Sequence, residues 1–401
     1  MVKVLLALLT SHFSPLTSTA QQMRYRADFQ VSPSVVADTI AIEWTNSQVY
    51  VPVTIDGQTY RFLLDTGASQ AVAFSDTPMA DATPLGSIIS HDATGRTATV
   101  PVVMLPPVQL GGICLTGLRA TVQQRLFRSS SDADGILGFD LVNGGLSMKI
   151  DVPARQLILT NRDRFFPKSS AALKYSLNYH VPYVDIMPFG RQRERVLFDT
   201  GSRQLFSMNK QHFDEACEDE TYRAPAFKLY DFTVEGRSMG RHAIGHHGEE
   251  PYGEVAFLQL NNLRLGKTVF SDVHCLTTQG GSHLGASLLN YGSVTFIPRK
   301  RQFIFQPDGQ LPSPISVANR QLEIAFGADS QGRPQVSLLW EQGEPWQQGF
   351  REGDVIEQID HQPVATLSQF IGWPFLRGRE YIFTVCSADG QRRELRWVRL
   401  R

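Results

Sequence analysis

The chain has 401 residues, 38 Lys and Arg against 39 Asp and Glu, and a formal net charge of -1. That balance excludes a surface built to neutralise nucleic-acid phosphates or an anionic membrane. A hydrophobic content of 42% with 19% charged residues excludes a mostly disordered chain and leaves room for two or three domains. Gly (32) and Pro (22) are plentiful and long helical patterns are scarce, so a mainly β fold is expected.

The N-terminus carries Lys3, an apolar run from Val4 to Leu9, and the small residues Ser18-Thr19-Ala20. This three-part pattern predicts a secretory signal peptide over 1–20 and an exported, soluble product, periplasmic or extracellular. No Cys lies near Ala20 to take a lipid anchor, and no later segment approaches the roughly 18 to 20 apolar residues of a membrane span. The four cysteines, Cys114, Cys217, Cys275 and Cys386, allow three full connectivities or four buried thiols. Cys217 and Cys275 fall in the same half of the chain and are the pair to test for a disulfide.

An internal repeat organises residues up to about 306. FLLDTGAS at 62–69 recurs as VLFDTGSR at 196–203, an offset of 134. ILGFDLV at 136–142 recurs as HLGASLL at 283–289, offset 147, and Thr94-Gly95-Arg96 as Glu235-Gly236-Arg237, offset 141. Features repeated in the same order at nearly constant offset indicate a duplicated domain. Each copy opens with a strand pair: Tyr50 to Ile55 with Tyr60 to Leu64 around Asp56-Gly57, then Val181 to Met187 with Arg195 to Phe198 around Phe189-Gly190. Each closes with another: Leu146 to Asp151 with Gln156 to Thr160, and Ser293 to Pro298 with Gln302 to Phe305. One helix is expected over Met208 to Glu218, with Ser207 as N-cap. The acidic run Asp214, Glu215, Glu218, Asp219 and Glu220 reads as its solvated face.

A Pro- and Gly-rich stretch, 307–314, reads as a linker. The expected organisation is therefore a first lobe over 21–165, a second over 166–306, the linker, and a small domain over 315–401. In that last part short strands are expected at Leu322 to Phe326, Gln335 to Leu339, Tyr381 to Cys386 and Glu394 to Val398.

The chemistry concentrates in the two Asp-Thr-Gly turns. A carboxylate on a sharp Gly turn after an apolar strand is held at the end of a rigid element. Two such turns, one per lobe, can meet across a pseudo-two-fold axis. Two close carboxyls do not both ionise easily, so they share a proton. The ionised member can then take a proton from water while the protonated member donates to a carbonyl oxygen. Asp65 and Asp199 are the candidate pair, and the scheme needs neither a metal nor a cofactor. Gly67 and Gly201 permit close backbone approach. Thr66 and Thr200 can hydrogen-bond across the axis. Ala68 and Ser202 differ, since only Ser202 can add a side-chain bond to its Asp.

On these residues the stretch from about 35 to 306 resembles aspartic proteases of the pepsin and retropepsin clan. FLLDTGAS and VLFDTGSR match that family's catalytic turns, and DGILGFDLV and SHLGASLLN its apolar-apolar-Gly segments. GILGFDLVNGGLSMKIDVPARQLILT is similar to the bacterial retropepsin-like type. The resemblance implies a two-lobed acid-protease fold, a catalytic dyad at Asp65 and Asp199, and a peptide or protein substrate lying between the lobes. It also implies flaps at the two hairpins marked by Gly95, Arg96, Gly236 and Arg237. With both half-sites in one chain, a monomer is expected. Three features depart from the family pattern: no evident flap tyrosine, His283 before Leu284-Gly285 in place of an apolar residue, and Arg203 where Ser69 follows the first turn.

The tail over 315–401 resembles a PDZ domain through Gln335 to Leu339, the segment Glu344 to Phe350, and GDVIEQIDHQPVATLSQF. That resemblance implies capture of a peptide ligand by strand addition, although the carboxylate-binding loop is not clear; Leu322 to Gly327 is the nearest candidate. A packing domain that braces the lobes is the other reading.

Other constellations are weaker. GRHAIGHHGEEPYG at 240–253 holds His242, His246 and His247, but its glycines oppose the helix that a metal pair would need. It reads as a mobile polar loop. No Gly-x-Ser-x-Gly elbow and no phosphate-binding Gly loop is present. Alternatives to an endopeptidase are a catalytically silent peptide-binding protein on the same fold, and a metal-dependent hydrolase using the His-rich stretch.

Overall fold

The computed structural model describes residues 23–125, 133–219, 231–376 and 378–398. The segment 1–20, expected as a signal peptide, therefore lies outside the described residues, as does Glu220 of the acidic run. No helix among the described residues is long and apolar enough to cross a membrane.

The fold is mainly β; the described residues form sheets of 13, 11 and 6 strands and two small ones of 3 and 2 strands. The first hairpin pairs Gln48–Ile55 with Gln58–Leu64. Its two-residue turn, Asp56-Gly57, has both φ angles positive (50° and 79°), the primed geometry that matches strand twist. The second copy pairs Val181–Ile186 with Glu194–Asp199. An 11-stranded sheet holds most of the first lobe, and a 13-stranded sheet runs through the second.

The lobes are not separate bodies at their base. The strands Ser147–Asp151 and Gln156–Thr160 of the first lobe belong to the 13-stranded sheet. Met148, Lys149 and Ile150 pair with Phe296, Thr295 and Val294 of the second lobe. Ala37–Ala41 from the N-terminal side completes the edge by pairing with Gln156–Thr160. Alternating burial along Ser147–Asp151 places Met148 and Ile150 in the core. One hydrophobic core spans both lobes. Its aromatic centre includes Phe198, which precedes the second Asp, and Phe139, which follows the first Leu-Gly; each packs on Phe296.

The helix of the second lobe is Lys210–Glu218, and its N-cap is Asn209, whose side chain accepts from the His212 amide at 2.9 Å. Ser207, expected as the cap, instead lies in the strand Phe206–Asn209 and is paired with Leu276 and His283. The strand signal of Phe206 and Met208 extends past it, and the helix starts at Lys210, so the cap falls on Asn209, the last residue of the strand.

Ile315 is not the start of an independent domain. Ile315 and Ser316 pair in parallel with Phe270 and Ser271, and Ile315 is buried in the second-lobe core. Asn319 then exchanges bonds with the His274 backbone. The third sheet begins at Ile324–Ala328 and continues through Pro334–Leu339, Val355–Ile359, Glu380–Cys386 and Arg392–Val398. It has its own core around Phe350, Ile356, Tyr381 and Phe383. Inside it, Asp354 is almost fully buried and accepts two bonds from Arg393, each 2.6 Å.

This C-terminal module is docked on the second lobe. Ala325 and Leu338 form a shared apolar cluster with Val255, Phe257 and Leu276. The Trp340 ring stacks on Phe257 with centroids 5.7 Å apart. No disulfide joins Cys217 to Cys275; the Cys275 thiol is buried and its pKa is pushed up by burial.

Candidate active site

Each candidate Asp follows an apolar strand whose direction is set by a parallel neighbour. Phe62, Leu63 and Leu64 pair with Gly135, Ile136 and Leu137, and the Asp65 amide donates to Leu137 O at 2.9 Å. In the second lobe Leu197, Phe198 and Asp199 pair with His283, Leu284 and Gly285. The Leu-Gly segments then support the turns: the Phe139 amide donates to Ala68 O, and the Ala286 amide to Ser202 O, both at 2.8 Å. Equivalent local sequence thus yields equivalent local geometry in both lobes.

The turns meet through a reciprocal set of buried bonds. Thr66 Oγ1 donates to Phe198 O (2.7 Å) and accepts from the Thr200 amide (3.1 Å). Thr200 Oγ1 donates to Leu64 O (2.6 Å) and accepts from the Thr66 amide (3.0 Å). Both threonines are fully buried, so no water competes for these groups.

The carboxylates are held by their own turns. Asp65 Oδ1 accepts from the amides of Gly67 (2.8 Å) and Ala68 (3.2 Å). Asp199 Oδ1 accepts from Gly201 (2.8 Å) and Ser202 (3.3 Å). Ser202 therefore reaches its Asp through its amide, as Ala68 does, and its hydroxyl makes no bond to Asp199. The close approach explains the glycines. A Cβ on Gly67 would lie 2.6 Å from Asp199 Oδ1, and one on Gly201 would lie 2.6 Å from Asp65 Oδ2. Each Asp is seated against the opposite turn.

Burial pushes the Asp65 carboxyl well above the usual carboxylate range. The neighbouring Asp199 charge and a hydrogen bond between the two carboxyls act in the same direction. The Gly67 and Ala68 amides oppose this but do not reverse it. Two carboxyls held this close and buried can share one proton.

The site is roofed. The first-lobe hairpin Thr83–His91 with Thr97–Met104 ends in a tip at 92–96 that includes Gly95 and Arg96. Asp92 Oδ1 shapes the tip by accepting from the Thr94 amide and hydroxyl and from the Arg96 amide, at 2.7 to 3.0 Å. Its other oxygen accepts from the His247 amide of the second lobe at 2.8 Å. His247 Nε2 lies 2.9 Å from Ser90 Oγ.

Gly236 and Arg237 are not at a matching tip. They lie within the strand Phe232–Gly240, which pairs with Gly253–Leu260 across a bulge between Val234 and Gly236. Gly236 is glycine because a Cβ there would sit 2.6 Å from Trp340 Nε1 of the docked module. Arg237 pairs with Glu254 instead. The element that meets the first-lobe tip is the His-rich stretch. It forms a small hairpin, Ile244–Gly245 with Gly248–Glu249, rather than an open loop. Buried Glu250 clamps its base, accepting from the amides of His242 and Ala243 and, through its other oxygen, from Thr278 Oγ1 and the Gln279 amide. Burial would raise the Glu250 carboxyl, but His242 and these donors hold it below its ordinary value.

Several residues near the dyad carry no local motif. Gln48 is buried. Its Oε1 accepts from Arg203 Nη2 at 2.8 Å and from the Tyr50 hydroxyl at 3.1 Å, tying the first strand to the residue after the second turn. Buried Asp140 accepts from the Ala71 amide at 3.0 Å, and burial pushes its carboxyl up to about 7. His283 and His246 are both near enough to Asp199 to feel its charge, yet burial holds each imidazole below its ordinary value. His246 Nδ1 is buried without a partner. Among the described residues no group of three or more His, Cys, Asp or Glu is arranged to hold a metal ion.

Part of this site falls within a match to a known family model. Residues 51–141 match the family model described as Aspartyl protease. That match includes the Asp65 turn and Leu137-Gly138 but stops short of Asp199. No curated protein matches the chain. Among solved structures, the crystal structure of an aspartic proteinase from Irpex lacteus is similar with a TM-score of 0.42 and 9% identity, over 70% of this chain and 99% of that one.

Proposed function

We propose that this chain is an aspartic endopeptidase acting as a single polypeptide on an extended peptide between its lobes. The observation that carries the reading is the reciprocal seating of Asp65 and Asp199, each against the other's turn glycine and between cross-axis threonines. The family match over 51–141 supports the first half of that site.

Burial and the Asp199 charge favour Asp65 as the proton holder. Asp199 then acts as base on a water molecule, taking one proton as the water oxygen attacks the scissile carbonyl carbon. Asp65 gives its proton to the carbonyl oxygen, so a neutral diol forms without a covalent enzyme intermediate. Collapse of the diol breaks the C–N bond. The proton on Asp199 passes to the leaving nitrogen, and a diol proton returns to Asp65. Turn amides and threonines keep both carboxyls in place through the cycle, so little reorganisation is needed at the moment of reaction.

The C-terminal module, PDZ-like in its sequence, acts in this reading as a brace, supported by the Phe257–Trp340 stack and the apolar cluster around it. The N-terminal pattern of Lys3, Val4 to Leu9 and Ala20 supports export.

The test is product mapping on a peptide library from acid to neutral pH. Wild-type protein is expected to give defined cleavage products. Asp65→Asn and Asp199→Asn should each fold and lose at least about a thousandfold in rate, as expected when an acid–base partner is removed. The roof contact between Asp92 and His247 favours one other reading, a closed peptide-binding protein without turnover. Peptide binding with no products from the wild-type chain would establish that reading.

A further inference from the structure

The small second-lobe hairpin and the C-terminal module share one carboxylate. Glu249 closes the small hairpin of the second lobe. Its Oε1 accepts from the Ala328 amide, on the first strand of the module, at 2.6 Å. Its Oε2 pairs with Arg241 Nε at 2.7 Å. Its backbone carbonyl accepts from Arg96 Nε, at the first-lobe tip, at 2.7 Å. The surrounding contacts run the same way. The Arg241 amide donates to Ser337 O of the module at 2.9 Å. Ile244 packs against the module core, and Tyr252 donates to Glu352 at 2.7 Å.

We propose that Glu249 is a positioning residue through which the C-terminal module holds the first-lobe tip over the dyad. The module is then part of the substrate clamp. This rests on the protease reading for its catalytic consequence, although the mechanical link does not depend on it. The reasoning is physical. The tip is a two-stranded projection, and such a hairpin has little stability of its own in water. Its order must come from what it touches, and the second-lobe hairpin it touches is itself small. Glu249 supplies a charged acceptor to an amide of a rigid sheet and to a guanidinium, the stronger class of hydrogen bond. Removing that carboxylate strands the Ala328 amide and frees the backbone that Arg96 grips. Sequence carried no sign of this, because residues 96, 241, 249 and 328 come from three separate parts of the chain.

The experiment compares full-length wild type, Glu249→Ala, Glu249→Gln and Arg96→Ala. Amide hydrogen exchange is read in the Asp65→Asn background, and cleavage kinetics in the active one. In Glu249→Ala, exchange at residues 92–97 should quicken by about tenfold, the scale expected when one charged hydrogen bond anchoring a local opening is lost. Exchange in the strands at 147–160 and 292–306 should not change. KM should rise by about tenfold with kcat within about threefold, since ground-state and transition-state holding fall together. Glu249→Gln, which keeps an acceptor for Ala328 and loses the ion pair with Arg241, should fall between. Arg96→Ala combined with Glu249→Ala should be no worse than the larger single effect. Unchanged exchange at 92–97 in Glu249→Ala overturns the proposal, and so does a fall in kcat at constant KM. Quickened exchange in a protein that cleaves nothing sustains the link while refuting the protease reading.

Discussion

The cross-axis threonines make a quantitative case. Thr200 Oγ1 is at once donor to Leu64 O and acceptor from the Thr66 amide, in a fully buried setting. Thr200→Val keeps the shape and removes both roles. It leaves one buried C=O and one buried N–H without partners. Each such group costs about 1–3 kcal/mol, so the loss should be about 2–6 kcal/mol. Against a typical total of about 5–15 kcal/mol, this is a large fraction of the stability of the fold. Urea denaturation followed by far-UV circular dichroism should show a lower midpoint at unchanged slope. Thr200→Ser retains the hydroxyl and should cost only about 1 kcal/mol, the scale of one lost methyl. Thr66→Val removes the mirror-image pair of bonds and should match Thr200→Val. The double Val variant should lose less than the sum, because the first break already lets the turns separate. A Thr200→Val protein within about 1 kcal/mol of wild type, and fully active, would refute the claim that these bonds align the carboxyls.

Two further outcomes follow from neighbouring contacts. Asp140 has its folded-state pKa raised to about 7 by burial. Its contribution is therefore fully present below the ordinary carboxylate pKa and is lost as pH rises through about 7. Wild type should lose stability between acid pH and pH 8, while Asp140→Asn, which still offers an oxygen to the Ala71 amide, should show a flatter profile in thermal melts; equal slopes would count against the assignment. Gly236→Ala places a Cβ 2.6 Å from Trp340 Nε1, so the module should shift on the second lobe. Reduced protection of the Phe257 and Leu338 amides from exchange would report it, and unaltered protection would show that Trp340 yields instead.

What was legible in the sequence was local. The Asp-Gly turn, the alternating closing strands and the Asp-Thr-Gly sequences each specify a conformation within a few residues. Because both Asp-Thr-Gly copies sit in equivalent strand–turn contexts, they fold alike, and the structure brings Asp65 against Gly201 and Asp199 against Gly67. What escaped depended on distant partners. The Glu235-Gly236-Arg237 match suggested a flap tip, but these residues lie within a strand, and the tip comes later in the chain, in the small hairpin at 244–249. Gly236 is explained by Trp340, more than a hundred residues away in sequence. Ile315 follows a Pro-rich stretch and looks like a new start, yet Phe270 claims it by strand pairing. Gln48 and Glu249 are ordinary polar residues until Arg203 and Ala328 are placed beside them. The His-rich stretch did carry a signal, but its buried organiser is the neighbouring Glu250.

The strand exchange at the base has a consequence for how the chain is made. Lys149 pairs with Thr295, and neither strand has that partner until nearly three quarters of the polypeptide has been synthesised. A nascent first lobe thus exposes the Ser147–Asp151 edge for most of translation. Such an edge is open to pairing with another chain, and contacts of long sequence separation form slowly. Lys149, its side chain paired with Asp151 on that same strand, puts charge along the waiting edge. The second half of the chain therefore also serves the first as the cap on an otherwise adhesive sheet.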